Sequence, residues 1–190
     1  MIFPLPYAIY DYRQVARLSR KALSPPTPLI DNKLNANLKV LDLLDRFKVQ
    51  YIRKVHPPAV TSVESSQIRG ESLASGAKAM LCELSNKEII MCVLSAEKKI
   101  SYSQLKKHFR VKDATLMNVD RLRDCTNCEV GAVPPFGSIF GLKTIVDPSL
   151  IVQGERMNFN AGLRTESVNM LVKDYLIIEK PEVVNFSSKS

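Results

Sequence analysis

The segment Gly131-Ala-Val-Pro-Pro-Phe-Gly137 sets two glycines around a rigid Pro134-Pro135 pair. Proline holds the backbone extended and glycine lets it turn or approach a ligand closely. A loop of this kind aims backbone N–H groups at an ester or phosphate oxygen. The same residues also suit a tight structural loop in which Phe136 plugs the core. Lys78 stands in Gly76-Ala-Lys78-Ala-Met among apolar neighbours. A partly desolvated ammonium there would bind a phosphate, a ribose oxygen or a carbonyl, or else the lysine snorkels from a strand end. A third polar segment is Asn158-Phe-Asn160-Ala-Gly162-Leu-Arg-Thr165. The sequence offers no Ser-His-Asp or Cys-His pairing. Cys125-Thr-Asn-Cys128 has the spacing of half a zinc site, but Cys82 and Cys92 lie ten apart in apolar runs and supply no second half. The expectation is therefore no metal and no cofactor, with thiols in a reducing compartment.

Local patterns indicate the elements that must carry these residues. The spacing of Leu38, Leu41, Leu44 and Phe47 predicts a helix capped by Asn37. Val49–Val55 alternates as a strand up to Pro57-Pro58. Thr61-Ser-Val-Glu64 has the form of a capping box opening a helix to about Arg69, and Ser101-Tyr-Ser-Gln104 repeats that form before a helix to Phe109. Lys78–Leu84 and Glu88–Ser95 read as a hairpin around Ser85-Asn86-Lys87. Asn118 caps a helix over Val119–Cys125. Residues 129–148 read as loops with short strands, Glu155–Asn160 and Glu166–Met170 as strands, and Val172–Ile178 as a closing helix or turn. The fold class is mixed α/β: one domain over residues 34–180, with a mixed central sheet flanked by helices. Residues 1–33 form a basic, proline-rich appendage with a short helix over Tyr10–Leu23, and residues 181–190 a polar tail.

The segments, taken in order, resemble the YbaK/ProX family of aminoacyl-tRNA editing domains. The matching pieces are His56-Pro57-Pro58 with Thr61 and Glu64, Gly76-Ala-Lys78-Ala, Cys128-Glu-Val-Gly131-Ala-Val-Pro134-Pro135-Phe136-Gly137, Val146-Asp147, and Phe159-Asn160-Ala-Gly162. They span about residues 35–178. The resemblance implies a metal-independent deacylase that hydrolyses the ester of mischarged tRNA, with a ribose hydroxyl of the tRNA helping to activate water. It implies that Lys78 holds the terminal adenosine or aminoacyl end, and that Gly131 to Gly137 line the aminoacyl pocket. Asn160 and Gly162 would form a further wall, His56 and Thr61 would border the mouth, and Asp147 would belong to the substrate-binding set. The alternative is an inactive tRNA-binding adaptor docked on an aminoacyl-tRNA synthetase.

Charge agrees with a polyanionic partner. Lys and Arg total 27 against 19 Asp and Glu, for a net charge of +8 and a pI near 9.4, which favours phosphate backbones through counterion release. Lys98, Lys99, Lys106, Lys107, Arg110 and Lys112 cluster around one predicted helix, as an RNA surface or a solvated face. The expected partners are tRNA and a synthetase, with neither DNA nor membrane. The longest apolar run, Ile89–Leu94, is far below the ~18 residues of a spanning helix. The expected location is the cytosol, with the mitochondrion as the alternative.

Overall fold

The computed structural model describes residues 35–59 and 61–189; the Tyr10–Leu23 helix expected in the appendage lies outside them. Among the described residues, six α-helices surround three sheets. The elements run α1 (Ala36–Arg46), β1 (Tyr51–Val55), α2 (Ser62–Arg69), β2 (Ala77–Leu84), β3 (Ile89–Ser95), β4 (Lys98–Ile100), α3 (Tyr102–Phe109), β5 (Ala114–Leu116), α4 (Val119–Thr126), β6 (Lys143–Val146), α5 (Pro148–Ile151), β7 (Arg156–Asn160), β8 (Glu166–Leu171), α6 (Val172–Glu179), β9 (Glu182–Val183) and β10 (Ser187–Lys189). Short 3₁₀ turns occupy Leu73–Ser75 and Gly137–Phe140. The mixed α/β class with a mixed central sheet is what the structure shows.

The central sheet has the order β5-β2-β3-β6-β9. β2 pairs antiparallel with β3 and β5, while β6 runs parallel to β3 and β9. β3 is apolar and nearly all buried, so its alternation feeds two cores. Met91 and Val93 join one core with Leu44, Phe136, Phe159 and Tyr175. Ile90, Cys92 and Leu94 join the other with Leu105 and Phe186. The first core is closed by the antiparallel sheet β1-β8-β7, tied to β2 by a bridge between Gly76 and Asn158.

Local signals set several ends. Thr61 accepts from Glu64 N–H at 3.1 Å while Glu64 accepts from Thr61 N–H at 3.0 Å, the reciprocal cap expected. Asn118 caps α4 through Arg121 N–H. Two caps differ. α1 is capped by Asn35, whose Oδ1 accepts from Leu38 N–H at 2.9 Å. Asn37 is buried within the first turn, donating to Ala161 O at 2.7 Å and Glu166 Oε1 at 3.0 Å. A strict three-residue spacing drifts around a helix of 3.6 residues per turn, so the buried stripe is Ala36, Val40 and Leu44, and Leu38 is 48% exposed. Ser101 makes no side-chain cap; its hydroxyl meets Ser103 instead.

Residues 181–189, polar in composition, carry β9 and β10 and bury Val184 and Phe186. Asp147 holds them. Its carboxylate accepts from Phe186 N–H, Ser187 N–H and Ser187 Oγ, each at 2.8 Å, and from Ser149 N–H at 2.9 Å. Burial alone would raise its pKa, but these donors outweigh it and hold the carboxyl below its ordinary value. Asp147→Ala is expected to cost about 2–4 kcal/mol in urea denaturation at neutral pH. Because the folded pKa is depressed, this advantage is full above about pH 4 and shrinks as pH falls through the folded value.

Candidate active site

A cavity of about 280 Å³ opens between β2, the N-terminal turn of α2, α4 and the Gly131 loop. Its walls are mostly apolar, from Ala77, Ala79, Leu81, Met117, Leu122 and Val133. The polar groups are few: Thr61, Ser62, Ser65 and Arg69 on α2 and its cap, Lys78 on β2, and Gly131 and Asn160. Among the described residues no histidine or carboxylate lines it.

The cavity exists because β2 is paired unequally. Ala96 N–H donates to Gly76 C=O at 2.7 Å and Leu84 N–H to Glu88 C=O at 2.9 Å. Even-numbered residues of β2 therefore exchange bonds with β3, and odd-numbered ones turn N–H and C=O to the opposite edge. There β5 reaches only Cys82–Leu84, and Met117 N–H takes Leu81 C=O at 2.9 Å. At Ala79 the backbone faces the cavity, offering one donor and one acceptor. Lys78 adds an ammonium whose Nζ donates to Lys98 C=O, leaving two further N–H bonds for a ligand. Burial, and then the charge of Lys99, pull its pKa below the ordinary lysine value.

The 131–137 loop enters the site at one end only. Gly131 lines the cavity with φ +84°, a conformation natural to glycine. Pro134, Pro135, Phe136 and Gly137 are buried away from it. Phe136 packs edge-on against Phe159 and Tyr175 at centroid distances of 5.6 and 5.3 Å. Gly137 N–H donates to Thr144 Oγ1 at 3.1 Å. Apolar bulk and a committed N–H make this half of the loop a plug for the core, so the expectation that it lines the pocket is corrected. Gly162 (φ +83°) lies outside the cavity too; a Cβ there would meet Asn37 N at 2.5 Å, so its role is close packing on α1. Asp147, expected among the substrate contacts, spends its lone pairs on the backbone of residues 186–187.

His56 does not line the cavity but reaches it through a hydrogen-bonded chain. Gly131 C=O can only accept, so Asn160 turns Nδ2 to it at 2.8 Å. Asn160 Oδ1 then accepts from Ser167 Oγ at 3.0 Å. With its one proton committed, Ser167 accepts from His56 Nε2 at 2.6 Å. Beside this chain, buried Glu166 receives Arg53 through Nε at 2.6 Å and Nη2 at 2.8 Å. Burial pushes the Glu166 pKa up, but the Arg53 and Asn37 bonds win and hold it low.

Arg69 is a site residue that sequence reading passed over. Its Nε donates to Ser65 C=O at 2.8 Å, while Nη1 is sealed from solvent without a partner among the described residues. Burial pulls its pKa below the ordinary arginine value against the opposing charge of Glu71. Only its position as the last residue of α2, one helical turn beyond Ser65, hinted at this placement. Of the sequence candidates, the cavity gathers Thr61, Lys78, Gly131 and Asn160.

Cys128 is buried, and burial pushes its thiol up to about 11, which keeps it protonated and a poor metal ligand or nucleophile. Among the described residues no three His, Cys, Asp or Glu side chains cluster to hold a metal. Lys99, Lys107, Arg110 and Lys112 are exposed, and Lys98 and Lys106 are half-buried.

An orphaned donor on a buried charge costs about 1–3 kcal/mol. Arg69→Met should therefore leave urea stability unchanged or raise it by about 1 kcal/mol; a clear loss would show that the guanidinium is a structural tie.

Comparison with known proteins identifies the family and the fold. The model of the aminoacyl-tRNA editing domain matches residues 56–177. The multifunctional Ser/Thr-tRNA deacylase ProXp-y of Escherichia coli (strain K12) is 36% identical over 138 residues, covering 70% of this chain and 83% of that protein. A solved structure of a candidate trans-editing enzyme for prolyl tRNA synthetase superposes with a TM-score of 0.70 at 15% identity, covering 88% of this chain and 99% of that one. A crystal structure of a hypothetical protein gives a TM-score of 0.72 at 15% identity, covering 79% and 99%. These two show the fold alone. The deacylase expectation stands over the adaptor alternative, and the chain belongs to the aminoacyl-tRNA editing domain family.

Proposed function

We propose that the protein acts in trans on tRNA mischarged with a small hydroxyl-bearing amino acid of the serine or threonine kind, and releases that amino acid. The observation that carries this reading is the meeting of Lys78, the open backbone edge at Ala79 and Gly131 in one small cavity. An aminoacyl ester is already reactive, so orientation and electrostatic support of the developing oxyanion suffice for catalysis. Water adds to the ester carbonyl carbon and the π pair moves onto oxygen. Collapse re-forms the carbonyl as the ribose oxygen leaves and takes up a proton, giving a free carboxylate and a tRNA hydroxyl. With no histidine or carboxylate among the described residues of the wall, proton transfer falls to water and the neighbouring ribose hydroxyl of the substrate. Lys78 holds the ester or its adjoining phosphate, and backbone N–H groups receive the negative charge. The polar end formed by Thr61, Ser62 and Arg69 suits a side-chain hydroxyl, and the apolar remainder limits its size.

The basic surface supports the tRNA assignment. Lys99 acts on the Lys78 ammonium through its charge, and Lys98 holds Lys78 through its carbonyl. The strand that bears Lys98 and Lys99 therefore joins the cavity to the basic helix behind it. An acceptor stem lying across Lys106, Lys107, Arg110 and Lys112 would bring its terminus to the mouth. A synthetase that supplies mischarged tRNA is the matching protein partner.

The first test is release of amino acid from tRNAs charged with serine, threonine, alanine or cysteine. Wild type should release one hydroxyl-bearing amino acid well above the blank, and Lys78→Ala should slow this by roughly 10²–10³-fold. Equal rates for the two proteins would remove Lys78 from the mechanism. A Lys106→Glu, Lys107→Glu double variant should raise KM several-fold with kcat nearly unchanged and flatten the dependence of KM on salt; an unaltered salt dependence would place the RNA elsewhere.

A further inference from the structure

We propose that Arg164, with Asn160, fixes the direction of the Gly131 N–H and so builds the backbone donor that receives the oxyanion. The proposal rests on the deacylase reading of the cavity and assigns Arg164 as a positioning residue.

Two peptide units flank Gly131. The C=O of Val130 accepts from Arg164 Nε at 2.9 Å, and the same nitrogen lies 3.2 Å from Glu129 Oε2. The chain contains no cis peptide among the described residues, so the N–H of this unit points opposite to its C=O. Val130 and Gly131 line the cavity, whereas Arg164 does not. Drawing the carbonyl to Arg164 therefore turns the Gly131 N–H toward the cavity.

The second unit is pinned as well. Gly131 C=O accepts from Asn160 Nδ2 at 2.8 Å, and Asn160 is held by Ser167 and His56. With both carbonyls tied, neither peptide can flip, and the positive φ of Gly131 joins the two orientations. The next N–H is already committed, since Ala132 N–H donates to Glu129 C=O at 3.0 Å. Gly131 N–H itself donates to no group among the described residues. It is thus a donor held in place with no acceptor among the described residues, which is what oxyanion stabilisation requires. Arg164 and Asn160 both come from the β7–β8 hairpin, so one element sets both bonds.

The test measures release from seryl- and threonyl-tRNA by the full chain, as wild type, Arg164→Met and Arg164→Lys, with and without guanidinium ion. Far-UV circular dichroism and tRNA binding are the folding controls. The expected result for Arg164→Met is a fall in kcat of roughly 10- to 100-fold with KM changed less than about two-fold. Arg164→Lys should recover part of the rate. Millimolar guanidinium should raise the rate of Arg164→Met and not of wild type, a rescue that a purely structural role would not show. If Arg164→Met unfolds, the kcat of Arg164→Lys and its response to guanidinium decide on the same terms. A folded Arg164→Met with wild-type kcat, or a change confined to KM, would overturn the clamp and leave the deacylase reading intact. Failure of wild type to release any amino acid would sink that reading and the clamp with it.

Discussion

Strand β2 is hydrogen-bonded along its full length on one side and only along its last residues on the other. A free sheet edge is a liability, because exposed backbone groups invite further pairing. Here the edge is closed at one end by β5 and Met117 and at the other by the bridge to Asn158. Only the stretch around Ala79 remains open. The site follows from that gap: small side chains at Ala77 and Ala79 leave room beside the backbone, α2 and α4 wall it, and Gly131 closes it from above. A less complete β5 would leave an aggregation-prone edge, and a longer one would fill the cavity.

The second constraint is the polar interior of the β7–β8 hairpin. Asn37, Glu166, Ser167 and Asn169 are all nearly inaccessible, and a buried polar group is costly unless bonded. Each is satisfied: Glu166 by Arg53 and Asn37, Ser167 between His56 and Asn160, and Asn169 by Asn158 and Arg156. Such a network gives little net stability over an apolar core, but it determines which way Asn160 and the following turn face. The hairpin is therefore a scaffold for the Gly131 loop. Arg69 shows the opposite economy, since its unsatisfied donor is carried at a cost in stability within the cavity wall.

Much of the fold was legible because its signals are local. The Thr61 and Asn118 caps, the Ser85-Asn86-Lys87 hairpin and the closing helix each depend on residues within one or two turns. The misplaced cap at Asn37 shows where locality ends: the same residue type serves as a cap or as a buried donor, depending on whether a distant Ala161 carbonyl is there to meet it. The tail after Pro181 looked polar because only Val184 and Phe186 are buried between exposed neighbours, and a two-residue apolar signal is too short to announce a strand.

The sequence by itself determined the family, the mixed α/β class, and four of the residues that the cavity gathers: Lys78, Gly131, Asn160 and Thr61. These are carried by ordered motifs whose spacing does not need the third dimension to be read. Tertiary structure alone decided which half of the glycine-proline loop touches the cavity, that Asp147 pins residues 186–187, that Arg69 lines the cavity, and that His56 reaches it only through Ser167 and Asn160. Each of those roles is a hydrogen bond or contact made or withheld by partners in other elements, as with Asp147 and Phe186 or His56 and Ser167. A side chain's partner across such distance is set by packing, and packing leaves no periodic trace in the chain.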